Sequence, residues 1–140
     1  MTINEKQDQI IEDFSISDDW FDRYAMLIDM GQELKALPED KKTPENLIDG
    51  CQSRVWITAR MEGGNLIFEG DSDALIVKGI LSLLISILSG HAPEEIVHSD
   101  LYCIDRIGMR EHLSPTRSNG LASMIKVMMA YAAAFSGKAS

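Results

Sequence analysis

The chain has 140 residues, with 13 basic and 22 acidic side chains and a formal net charge of −9. That length has room for one hydrophobic core and not for a second of typical size. With 45% apolar and 25% charged residues, the chain falls outside the compositions of disordered proteins. The lack of clustered Lys and Arg argues against nucleic acid as a partner, and two cysteines alone cannot build a four-thiolate metal site.

The first predicted element is a short amphipathic helix from Asn4 to Phe14, with Ile10, Ile11 and Phe14 as its apolar side. Ser17 is a good N-cap for a second helix, with Asp18 and Asp19 in the first turn, where acids suit the helix dipole. Trp20, Tyr24, Leu27 and Ile28 continue it at helical spacing, and Gly31 is a natural terminator. Leu37 to Pro44 reads as a surface linker. Val55, Ile57, Ala59 and Met61 then alternate with Arg54, Trp56, Thr58 and Arg60, and Leu66-Ile67-Phe68 follows Gly63-Gly64, the pattern of a β-hairpin.

Gly70-Asp71-Ser72-Asp73 is expected to end the second strand and cap a helix from Ala74 to Leu88. Lys78, Ser82 and Ser86 form the only polar stripe of that helix, so most of its circumference is expected to be buried. The apolar stretch from Leu75 to Leu88 has 14 residues, short of the roughly 20 that span a bilayer. Pro93 to Val97 adds a single turn. Ser114 to Ser118 leads into a last helix carrying Leu121, Met124, Ile125, Met128, Ala132 and Phe135 at helical spacing. The order predicts an α+β fold: a small antiparallel sheet covered by helices, as a single domain over residues 1–140.

Residues 1–50 hold 13 acids and 5 bases, whereas residues 51–140 hold 9 acids and 8 bases. Such an acidic third serves solubility, or steers the chain toward a basic face on a partner. The polar N-terminus has no apolar signal-peptide core, so a cytoplasmic, reducing location is expected, with no membrane partner and no disulfide.

Enzyme motifs are largely missing. The sequence has neither a glycine-rich phosphate loop followed by Lys nor a Cys-x-x-Cys pair. His91, His98 and His112 lack the spacing of zinc hydrolases, and no metal or other cofactor of the chain itself is expected. A dyad of Cys51 with a histidine is the formal enzymatic alternative, a small thiol peroxidase or hydrolase. Cys51 lies in Gly50-Cys51-Gln52-Ser53-Arg54, after a polar linker and before the first strand. That is a loop position from which a thiol is presented. Cys103 has apolar neighbours and reads as a packing residue.

Asp49-Gly50-Cys51-Gln52-Ser53-Arg54-Val55-Trp56-Ile57 resembles the signature of the SufE family of sulfur acceptors for cysteine desulfurases. Gly70 to Gly79 and Leu113 to Leu121 resemble that family's second and third blocks, and Trp20 and Gly31-Gln32 also match. The resemblance implies a fold shared with the iron–sulfur scaffolds of the IscU/NifU type. It also implies that Cys51 accepts sulfur from the persulfide of a pyridoxal-phosphate cysteine desulfurase (SufS-like), stimulates that enzyme, and passes the sulfur to an iron–sulfur scaffold (SufBCD-like). Service to a paralogous desulfurase, in a CsdE-like role, is the alternative within the family.

Attack on a persulfide depends on thiolate fraction and access, and nearby positive charge raises that fraction. Arg117, in the third block, is the candidate cation; its plain alternative is an exposed arginine at a helix start. Asp73 is either a helix N-cap or, as the resemblance implies, a residue that holds the Cys51 loop or contacts the partner. Gly50, Gln52 and Ser53 are the candidate loop supports, the last two through hydrogen bonds. The loop is expected to alternate between buried and extended states. A homodimer and a monomer are both compatible with the sequence.

Overall fold

The computed structural model describes residues 1–138. Helix α1 spans Ile3–Phe14 and starts one residue earlier than expected, because Thr2 and Glu5 form a capping box. The Glu5 N–H donates to Thr2 Oγ1 at 3.0 Å, and the Thr2 N–H donates to Glu5 Oε1 at 2.9 Å. Its buried face is Ile3, Gln7, Ile10 and Phe14. Gln7 is buried without loss of hydrogen bonding: its Nε2 donates to the Asp100 carbonyl at 2.8 Å, and its Oε1 accepts from the Cys103 N–H at 3.1 Å.

Helix α2 spans Trp20–Glu33 and is capped by Asp19, not Ser17. The Phe21 N–H donates to Asp19 Oδ1 at 2.9 Å, while Ser17 Oγ accepts from the Asp19 N–H and donates to Asp22. Gly31 does not end the helix either. It lies where α2 meets helix α3, Leu75–Leu88, and a Cβ there would stand 2.9 Å from the Gly79 nitrogen. A Cβ at Gly79 would stand 2.0 Å from the Leu27 carbonyl oxygen. Both glycines are therefore set by backbone-to-backbone approach, a requirement that a terminator signal mimics in one dimension. Between α2 and the hairpin, the linker buries Leu37 and forms one 3₁₀ turn, Glu39–Lys41.

Strands β1, Val55–Glu62, and β2, Asn65–Ser72, pair antiparallel from Val55 opposite Ser72 to Glu62 opposite Asn65. Gly63 and Gly64 adopt φ of 58° and 84°, the left-handed pair of the tight hairpin turn. Pairing runs on to Ser72, so β2 includes Gly70 and Asp71 and ends, as expected, within the Gly70 to Asp73 stretch. Residues 46–48 run along the other side of β1: the Ile48 N–H donates to the Val55 carbonyl, and the Ile57 N–H to the Asn46 carbonyl.

Helix α3 is the centre of the core, with Ile80, Leu81, Leu83, Leu84, Ile87 and Leu88 fully buried. Its polar stripe is also satisfied. Lys78 Nζ is 3.2 Å from Asp71 Oδ1, Ser82 Oγ donates to the Met30 carbonyl, and Ser86 Oγ donates to the Leu83 carbonyl. Three short helices follow: α4, Pro93–Val97, α5, Tyr102–Arg106, and α6, Met109–His112. Only α4 was expected, because four- and five-residue helices have no periodicity to read.

Helix α7, Pro115–Lys138, closes the fold. Ser114 caps it, with Oγ accepting from the Arg117 N–H at 3.3 Å, and Pro115 occupies the first position, which has no N–H to satisfy. Pro115–Gly137 is long and apolar enough to cross a membrane by length and composition, a property the sequence reading assigned to no helix. Here Leu121, Met124, Met128 and Ala132 are buried in the same core as α3. The architecture is α+β, a small antiparallel sheet covered by helices.

Candidate functional site

The Cys51 loop is shaped first by Gly50, at φ 89°, a conformation that disfavours any side chain. A Cβ at position 50 would also stand 2.2 Å from Ser123 Oγ, so the loop backbone lies directly on α7. Cys51 follows, half-buried, with its thiol donating to the Gly120 carbonyl at 3.7 Å. The other end of the loop is fixed by Asp73, whose Oδ1 accepts from the Arg54 N–H at 3.0 Å while its Oδ2 faces Arg54 Nε at 3.3 Å. Asp73 thus makes no N-cap bond to α3; the small cap contribution comes from Ser72 Oγ, which accepts from the Ala74 N–H at 3.3 Å.

Beside the thiol lies a cavity of about 640 Å³, lined by Cys51, Ile28, Leu75, Ser114, Arg117 and Gly120 among others. Gln52 and Ser53 line it as well, but their side chains make no hydrogen bond among the described residues. The expected loop support by Gln52 and Ser53 is therefore replaced by the Gly50 backbone and the Asp73 carboxylate.

Electrostatics at the thiol run opposite to the sequence expectation. Burial pushes the Cys51 thiol above its ordinary value, and Arg117 supplies no counteracting support. Arg117 is an exposed residue in the first turn of α7 and contributes to the cavity rim. In this arrangement Cys51 is a sheltered thiol, not an activated thiolate.

The Cys51–histidine dyad is not formed. His112 stacks on Trp20 with ring centroids 4.5 Å apart, His91 Nδ1 is 3.5 Å from Glu95, and His98 Nδ1 meets the Glu94 carbonyl. None of the three lines the cavity. Cys103 is fully buried, and burial pushes its thiol up to about 12, which agrees with a packing role.

The hub of this corner is Asp71, which no sequence spacing signals. Asp71 is nearly buried, with Oδ1 accepting from the Ser72 N–H at 2.8 Å and Oδ2 accepting from the Leu37 N–H at 3.4 Å. Lys78 and Lys42 lie 3.2 and 3.5 Å from its oxygens. It ties the linker, β2 and α3 together two residues from Asp73. Ile28, Ser114 and Gly120 were also missed as cavity residues, because their partners come from distant parts of the chain.

Comparison with known proteins gives a consistent result. The SufE pattern, described as an Fe-S metabolism associated domain, matches residues 8–132. An uncharacterized SufE-like protein of Rhizobium etli is 46% identical over 124 residues, covering 85% of this chain and 84% of the relative. An uncharacterized SufE-like protein of Rhizobium meliloti is 44% identical over 124 residues, covering 85% of this chain and 89% of the relative. The solution structure of a hypothetical protein from Thermus thermophilus superposes with a TM-score of 0.75 at 22% identity, covering 92% of this chain and 94% of that one. That likeness speaks for the fold. The pattern match and the two relatives show that the chain belongs to the SufE family, a family of Fe–S metabolism.

Proposed function

We propose that this protein accepts sulfur on Cys51 from a pyridoxal-phosphate cysteine desulfurase of the SufS-like type, stimulates that enzyme, and hands the sulfur to an iron–sulfur scaffold of the SufBCD-like type. The observation that carries this reading is the Cys51 seat. It is a thiol on a glycine-hinged loop, half-buried at a cavity, with no histidine or metal-ligating cluster beside it among the described residues. A free-standing thiol enzyme needs a base or cation against its nucleophile; no histidine lines this cavity, and Arg117 stands at its rim without lowering the thiol. A carrier needs a sulfur that is sheltered between partners and exposed at acceptance and delivery.

The transfer conserves electrons. The Cys51 thiol loses its proton, its sulfur attacks the outer sulfur of the desulfurase persulfide, and the S–S bond of that persulfide breaks. A new S–S bond leaves Cys51 as the persulfide, and the desulfurase cysteine departs as a thiolate that takes up a proton. Burial raises the Cys51 thiol in the free protein, and in this reading contact with the desulfurase draws the loop out of its seat on α7 and relieves that burial. Arg117 lines the same cavity, and in this reading its charge supports the sulfur anion once the loop has moved.

The reading is tested by alanine production from cysteine by the desulfurase, with and without this protein. Wild type and Cys103→Ser are expected to stimulate turnover, and Cys51→Ser to abolish the stimulation. Stimulation that survives Cys51→Ser would overturn it.

A further inference from the structure

Two large apolar side chains stand in solvent near the cavity without a partner in the fold: Leu75, 64% exposed at the start of α3, and Phe21, 82% exposed in the first turn of α2. Leu75 and Ile28 both line the Cys51 cavity. Phe21, Ala25 and Ile28 are spaced by four and three residues, so they form one row on α2 that runs outward from the cavity. Seven residues of helix put Phe21 roughly 10 Å beyond Ile28. Asp22 and Asp29 of α2 flank this row, Asp18 stands just before the helix, and all three residues are exposed. None of them has an ion-pair partner among the described residues. Arg23, the only base on α2, is turned away and donates at 2.8 Å to the carbonyls of Ser17 and Ile107.

We infer that the surface that docks the cysteine desulfurase extends from the rim of the Cys51 cavity along α2 to Phe21, with Leu75 and Phe21 as apolar anchors and Asp18, Asp22 and Asp29 as an acidic border facing basic side chains of the enzyme. The inference rests on the proposed function, because a persulfide that reaches Cys51 obliges its owner to cover the cavity rim. Continuity of the apolar row with that rim assigns the row to the same partner. Uncompensated carboxylates beside it set the sign of the partner's charge. An exposed aromatic in an apolar row has the character of an interface anchor. The acidic excess of residues 1–50 thereby gains a local address on α2.

The test uses the full chain with a pyridoxal-phosphate cysteine desulfurase and three readouts: the concentration for half-maximal stimulation, its salt dependence, and the sulfur carried by the Cys51 peptide at saturation. Phe21→Ser is expected to raise the half-maximal concentration about tenfold while the saturated sulfur load stays at the wild-type level. Asp22→Lys with Asp29→Lys is expected to raise it as well and to flatten its dependence on salt. Wild-type half-maximal concentrations in both variants would overturn the inference and leave the Cys51 relay standing. A reduced saturated sulfur load in Phe21→Ser would overturn it too, because the loss would then lie in the Cys51 seat and not in docking. If the wild-type protein takes no sulfur on Cys51, the relay itself fails, and this inference fails with it.

Discussion

The sulfur of Cys51 and the carbonyl oxygen of Gly120 lie 3.7 Å apart, and a Cβ on residue 120 would reach to 3.4 Å from that sulfur. That sulfur is the atom a side chain at position 120 meets first, so a branched side chain there presses on the seated thiol. Gly120→Val is expected to push the loop outward and speed alkylation of Cys51 near neutral pH by about tenfold, as desolvation of the thiolate is relieved. Arg117→Ala is expected to leave the rate in the free protein unchanged, since burial governs the thiol there. Cys103, fully buried with its thiol pushed up to about 12, is expected to react only after unfolding. Peptide mass mapping of alkylation time courses checks all three.

Gly50 is held by two independent constraints, its φ of 89° and the 2.2 Å approach of Ser123 Oγ to a Cβ placed there. Gly50→Ala is expected to cost about 2 kcal/mol of stability and to expose Cys51 to alkylation. Adding Ser123→Gly removes the clash and leaves the backbone conformation strained, so the double variant is expected to recover part of the loss. Full recovery would mean that contact alone sets the position. Denaturant titration of the two variants separates the contributions.

Asp71 provides a pH signature. Burial works to raise its carboxyl, but the Ser72 N–H, Lys78 and the Leu37 N–H together outweigh that and hold it below the usual aspartate value. A depressed folded value means that the stabilisation is present above the unfolded value of about 4 and is lost as pH falls through the lower folded value. Asp71→Asn is therefore expected to cost about 2 kcal/mol at neutral pH. The gap between variant and wild type should narrow in acid, as read from denaturant midpoints across pH.

Gly79→Ala places a Cβ 2.0 Å from the Leu27 carbonyl oxygen, a backbone atom of α2 that cannot rotate away. The expected loss is about 3 kcal/mol, seen as a fall in melting temperature, with Gly31→Ala weaker because its Cβ meets the Gly79 nitrogen at 2.9 Å.

These glycines also mark what the sequence made legible. Gly63-Gly64 announced the hairpin because the requirement is local: two left-handed residues between alternating strands. Gly31 has the sequence signature of a terminator because its neighbour, Gly79, is 48 positions away and only the folded crossing reveals it. Ser17 and Asp19 are both competent caps, and the choice between them depends on side-chain geometry that spacing does not carry. At the site, the loop position of Cys51 and the burial of Cys103 were legible from their neighbours. The raised Cys51 thiol was not, because the surface that buries it is α7, contributed by residues near 120. The Asp71 hub was hidden for the same reason, since Leu37 and Lys42 meet it only in three dimensions.

The proposed relay stands or falls with sulfur on Cys51. Its most direct test is the mass of the Cys51 and Cys103 peptides after the protein is incubated with a cysteine desulfurase, pyridoxal phosphate and cysteine, with free thiols blocked by alkylation before digestion. One added sulfur is expected on the Cys51 peptide and none on the Cys103 peptide. Sulfur on Cys103, or on neither peptide while the desulfurase is still stimulated, would contradict it.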